Sequence, residues 1–126
     1  MGFVSFGYAI RNDNADVIYI DHGQCGHQSI LQAEALGLRK GVKKVNELGF
    51  KEIEIEGDNL CIIRTMKNQW TCPWEIEIVI TNTKLDLLSF SSVSFRHIFR
   101  DFNIVVDRAA LLAHSIPVVG MLENDI

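Results

Sequence analysis

The chain opens on an alternating pattern. In "FVSFGYAI" the residues Val4, Phe6, Tyr8 and Ile10 fall on one face, and "DVIYI" resumes an extended pattern after "RNDNA". Asn and Asp tolerate tight turns, so residues 2–11 and 16–22 read as a hairpin. "GQCGHQS" reads as a loop. From Ser29 the period becomes helical: Leu31, Ala35, Leu38, Val42 and Val45 form one stripe that ends near Gly49. "KEIEIEG" alternates again, a strand with Ile53 and Ile55 inward. Asp58 stands where the N-cap of a short helix, "NLCIIRTMK", belongs. "TCPW" interrupts the chain. "EIEIVITNTKLDLLSF" begins with alternation, but Ile76, Ile80, Thr83 and Leu87 fit a helix better. "SVSFRHIF" reads as a strand and the segment from Asn103 as a helix. The resulting order, β-β-α-β-α-α-β-α, is that of an α/β fold with helices against a mixed sheet.

Size and composition narrow the class. The chain has 126 residues, enough for one domain with a real core. The domain is expected over residues 1–114, and 115–126 as a loosely packed tail. Hydrophobic residues make up 48% and charged residues 22%, which argues against disorder. No apolar run reaches the ~18 residues a membrane span needs, and Met1 is not followed by a secretory pattern. Cys25, Cys61 and Cys72 are odd in number and lack zinc spacing, so free thiols in a reducing compartment are expected. That places the protein inside the cell, in nucleus or cytoplasm. The net charge of −4 disfavours a partner held by bulk electrostatics, while leaving room for a local basic face.

Three carboxylates and one histidine sit where the pattern does not ask for them. On a helical wheel Glu34 borders the apolar stripe, away from Lys40, Lys43 and Lys44. Asp58 leaves the end of a strand. Asp107 lies in the first turns of the most apolar segment of the chain. His97 shares the parity of Val93, Phe95 and Phe99 on an apolar strand face. Each has a structural alternative. Glu34 can reach solvent from the stripe edge, Asp58 can cap a helix, Asp107 suits a helix start, and His97 can be a core histidine. Should the three carboxylates converge, mutual repulsion would call for hard cations such as Mg²⁺, which prefer oxygen ligands.

The ordered set resembles a known family. "GFVSFGYAIRNDNADVIYI", "LQAEALGLRKGVKKVNELGFKEIEIEGDNL", "PWEIE" and "FSSVSFRHIFRDFNIVVDRAALLAH" are similar to the ribonuclease H-like domain family over residues 2–114. The resemblance is greatest to the plant, retroelement-related branch of its type 1 group. The resemblance implies that Glu34 of "AEAL", Asp58 of the strand-end motif and Asp107 of the "N..AD" motif are metal ligands. It implies that His97 assists proton transfer, and that Asn103 and Arg100 contact substrate. It further implies two Mg²⁺ ions about 4 Å apart. The implied partner is an RNA–DNA hybrid, or another nucleic acid, with the RNA strand cut and 2′-hydroxyl contacts setting the discrimination.

The family pattern starts with a strand carrying an Asp, whereas this chain starts at the hairpin. None of Asp13, Asp16 and Asp21 matches that Asp, and Gly57 stands where the motif has Ser. The resemblance therefore implies three of four carboxylates and impaired cleavage. It also implies a gap in the sheet, either with unsatisfied edges on the hairpin strand and the 51–57 strand or closed by a pairing foreign to the family. The alternatives to a hybrid ribonuclease are a module that binds nucleic acid or protein without cutting, and a gene remnant. Arg96, Arg100 and Arg108 around the last motif would favour the first two.

Overall fold

A computed structural model describes residues 4–12, 14, 16–26, 28–98 and 118–121 of the chain. Its elements are β1 (Val4–Arg11), β2 (Val17–Gly26), α1 (Ile30–Glu47), β3 (Glu52–Gly57), α2 (Leu60–Met66), a 3₁₀ turn (Trp74–Ile76), α3 (Glu77–Leu87), β4 (Ser92–His97) and β5 (Val118–Met121). The strands form one mixed sheet in the order β2-β1-β5-β3-β4. The hairpin, the long helix, the 51–57 strand, the short helix, the ambiguous third helix and the last strand all fall where the hydrophobic pattern puts them. The helix expected from Asn103 lies outside the described residues.

Local chemistry explains the helix ends. Ser29 accepts from the Gln32 amide while the Gln32 side chain accepts from the Ser29 amide, a reciprocal box that satisfies two orphan donors of α1. Beyond the last turn Gly49 takes φ +88°, which only glycine adopts cheaply. Asp58 does not cap α2. Asn59 does, its Oδ1 accepting from the Ile62 amide at 3.1 Å. The one-residue difference matters, because the cap is then an amide and not the strand-end carboxylate.

The core lies between α1 and one face of the sheet. Ile10, Leu38, Val42, Val45, Ile53, Ile55 and Val119 are fully buried there. α1 comes very close to the strands. A Cβ at Gly37 would lie 2.8 Å from the Gly7 carbonyl oxygen, and one at Gly41 would lie 2.6 Å from Val119 Cγ1. α3 packs on α1 through Ile76, Ile80 and Thr83, all essentially buried.

Two expectations are corrected. "GQCGHQS" does not begin as a loop. β2 continues to Gly26, paired with Val4 of β1, because each further residue of the hairpin satisfies backbone groups that would otherwise stay open. The segment expected as a loose tail holds β5, which takes a central place in the sheet. Ala9 pairs with Gly120 on the antiparallel side and Glu56 with Gly120 on the parallel side. A four-residue strand in this position gives hydrogen-bond partners to both β1 and β3, and Val119 adds a fully buried side chain beneath α1. The gap expected between those strands is thus closed from the C-terminal side of the chain.

Candidate functional site

The sheet ladder fixes which residues share an end of the molecule. Ala9, Gly120 and Glu56 are on one level. β1 and β3 run oppositely, so Asp58, two residues beyond Glu56, is level with Gly7, two residues before Ala9. The two strands that flank β5 are about 10 Å apart, twice the usual strand spacing. Gly37 of α1 rests against Gly7, and Glu34 lies one turn further toward the start of the helix. Glu34 and Asp58 therefore occupy the same end of the sheet, on either side of the β5 line. Both are half-buried, and Glu34 Oε2 is shielded from solvent.

His97 is brought to this end by the pairing of β3 with β4. Gly57 is the direct partner of His97, and the His97 ring Nε2 lies 3.0 Å from the Asp58 carbonyl oxygen. A neutral ring donates from Nε2 to that carbonyl, which anchors the imidazole at the strand end. The ring also borders a hollow of about 280 Å³, lined by Leu60, Ile63, Arg64, Lys67, Gln69 and His97. Arg64 stacks 5.5 Å from the centre of the Trp70 ring. The rim of this hollow is basic, unlike the chain as a whole.

Glu34, Asp58 and His97 thus gather at one end, while Asp107, Asn103 and Arg100 lie outside the described residues. Among the described residues no group of three or more His, Cys, Asp or Glu side chains could hold a metal ion. The two described carboxylates nonetheless suit Mg²⁺ by donor type, since that ion commonly takes one or two carboxylates and completes its shell with waters and substrate phosphates.

Arg96, one of the basic residues near the last motif, has a different role. Its Nη2 lies 2.6 Å from Glu56 Oε2 and its Nε 3.0 Å from Glu54 Oε1. Arg11 closes the network on Glu56 from β1. Glu54 and Glu56 are 3% and 2% exposed, so these arginines balance buried charge and are committed to the sheet. Reading "EIEIE" as one inward and one outward face hid this pair. The signal was present in Arg11 and Arg96, which lie on β1 and β4 with the parity of the glutamates.

The model of the reverse transcriptase-like family matches residues 3–113. The chain belongs to that family. Among solved structures, this member of the reverse transcriptase-like family is similar to RNase H1 from the halophilic archaeon Halobacterium salinarum NRC-1. The two share 20% identity at a TM-score of 0.73, over 85% of this chain and 80% of that one. It is also similar to the N-terminal RNase H domain of a Mycobacterium tuberculosis protein, solved as a fusion with maltose-binding protein. That match has 16% identity and a TM-score of 0.68, over 82% of this chain and 92% of that one. At these identities the two structures show the fold, which is ribonuclease H-like. No curated protein matches the chain.

Proposed function

We propose that this reverse transcriptase-like domain binds nucleic acid and hydrolyses the RNA strand of RNA–DNA hybrids, with Mg²⁺ and at a reduced rate. The observation that supports it best is the joint placement of Glu34, Asp58 and His97 at one end of the sheet, with His97 anchored on the Asp58 carbonyl. Glu34, Asp58 and, from the sequence motif, Asp107 would hold the metal. When bound, the metal would polarise the phosphoryl oxygen and acidify a water.

The residues of the chain supply the rest. Half-buried carboxylates hold negative charge where little water competes for it, which favours a dication over a monovalent ion. The His97 imidazole takes or returns a proton beside the scissile phosphate. Arg64 and Lys67 at the adjoining hollow receive a neighbouring phosphate of the duplex. Asn103 and Arg100 extend that contact. Because the net charge is −4, binding rests on these few cations and falls steeply with added salt.

A non-cutting nucleic-acid-binding module is the second reading. What favours it is that none of Asp13, Asp16 and Asp21 matches the Asp that the family pattern carries ahead of the hairpin. Cleavage of a labelled hybrid with Mg²⁺ and with EDTA separates the two readings. The first expects slow, EDTA-sensitive cleavage of the RNA strand, lost in Asp58→Asn and Glu34→Gln. Hybrid binding without any cleavage would establish the second.

A further inference from the structure

α3 has a second face that the core does not use. Its buried side carries Ile76, Ile80 and Thr83, packed toward α1. On the opposite side stand Trp74 of the 3₁₀ turn, Ile78 and Leu85 of α3 and Leu88 just past its end, at 83%, 78%, 59% and 79% exposure. With the exposed Thr81 between them, their spacing is 4, 3, 4 and 3 residues. This is the seam of a two-helix coiled contact, and the pattern is independent of the one that fits α3 to its own core. Together the four side chains expose on the order of 500 Å² of apolar surface, the size of the largest patches on monomers, which are often functional.

We propose that this face of α3 is a self-association surface, with a second copy of the chain as its occupant. Charge selects both the partner and the direction. Glu77 and Lys84 flank the seam on the same side, one near each end of the helix, and Lys84, which donates to Asn68 Oδ1 in its own chain, keeps two further N–H donors for a partner. When two α3 helices lie antiparallel about a two-fold axis with Ile78 opposite the other copy's Thr81, each Glu77 comes beside the other copy's Lys84. The pair forms twice. The remaining flank brings Glu75 beside Asn82, which is neutral. Sliding one helix by a turn to set Leu85 against Thr81 instead brings Lys84 beside Lys84, so like charges oppose that register.

Two patches of this size bury about 1,000 Å², near the lower limit for a specific contact, so the dimer is weak. None of the seam residues is a candidate site residue or lines the hollow beside His97.

Sedimentation of the full chain between about 1 μM and 1 mM tests the proposal. A reversible monomer–dimer equilibrium is expected, with Ile78→Asp monomeric throughout. Glu77→Lys should weaken the dimer at least 10-fold, and the swap Glu77→Lys with Lys84→Glu should restore it. These sites are at the surface, and circular dichroism reports whether each variant is folded. A chain monomeric at 1 mM overturns the proposal. So does open-ended aggregation, or a dimer indifferent to Ile78→Asp and to the charge reversal. Capture of a different protein by this face, with no dimer at 1 mM, also overturns it.

Discussion

The two faces of β3 are buried to nearly the same degree by opposite chemistry. Toward α1, Ile53 and Ile55 meet Ile10, Leu38, Val42 and Val119 in a close-packed apolar layer. On the other face Glu54 and Glu56 are just as inaccessible, and are balanced by Arg96 from β4 and Arg11 from β1. The apolar face draws its energy from area removed from water, a non-directional term that accepts many side chains of fitting volume. The charged face contributes little net stability over an apolar equivalent, yet it is geometrically exacting. Arg11, level with Val118, must reach diagonally across β5 to Glu56, whose own neighbour on β5 is Gly120, which has no side chain to interpose. The first face says that β3 is central; the second ties it to β4 beside it and to β1 one strand further on.

Breaking the charged face one partner at a time should have the largest effect. Glu56→Ala removes the buried carboxylate shared by two half-buried arginines and should cost about 3 kcal/mol by urea unfolding. Replacing the whole group (Glu54→Leu, Glu56→Leu, Arg11→Met, Arg96→Met) should recover most of that loss. If the quadruple variant is as unstable as Glu56→Ala, the network contributes more than specificity and the contrast between faces fails.

The apolar face should respond to volume alone. Ile55→Ala should cost about 2–5 kcal/mol and Ile55→Val about 1 kcal/mol. At the same interface Gly41→Ala forces a methyl to 2.6 Å from Val119, with an expected loss of about 1–3 kcal/mol. Val119→Ala should partly relieve it, giving a coupling that a double-mutant cycle measures. Additive losses would mean that β5 does not lie under α1 as described.

The helix start next to the candidate site separates structure from chemistry by a single residue. Asn59→Ala should cost about 1 kcal/mol through the lost cap. Asp58→Asn should change stability less than that, while removing Mg²⁺-dependent cleavage. Equal stability losses for both would return Asp58 to a capping role.

The smallest effect concerns the thiols. Burial raises the Cys25 and Cys72 thiols above their ordinary value of 9.0, and the nearby Glu77 adds to the rise at Cys72. The folded state thus holds the proton more tightly than the unfolded chain. That contribution is full below the unfolded value and fades as pH climbs through the folded one, so stability should dip in the alkaline limb above about pH 9. At pH 8 these thiols should alkylate several-fold more slowly than a free cysteine, because less thiolate is present. Alkylation at the free-thiol rate would place them in a wetter setting.

The sequence by itself determined the elements that rest on local periodicity and short-range chemistry. Four inward residues at spacing two settled β1, a five-residue stripe with Ser29 ahead of it settled α1, and Ile76, Ile80 and Thr83 decided α3 against its alternating start. It also brought Glu34, Asp58 and His97 forward as candidates, because an ordered run of motifs survives in one dimension. Capping slipped by one residue, since Asp58 and Asn59 are chemically equivalent cap candidates and only the backbone geometry distinguishes them. Tertiary structure alone decided that Val118–Met121 sits between β1 and β3, because strand pairing joins residues far apart in sequence and a four-residue apolar segment carries no mark of its partners. It alone decided that Glu54 and Glu56 are buried, for alternation reads a strand as having one wet face until the arginines on its neighbours are brought alongside.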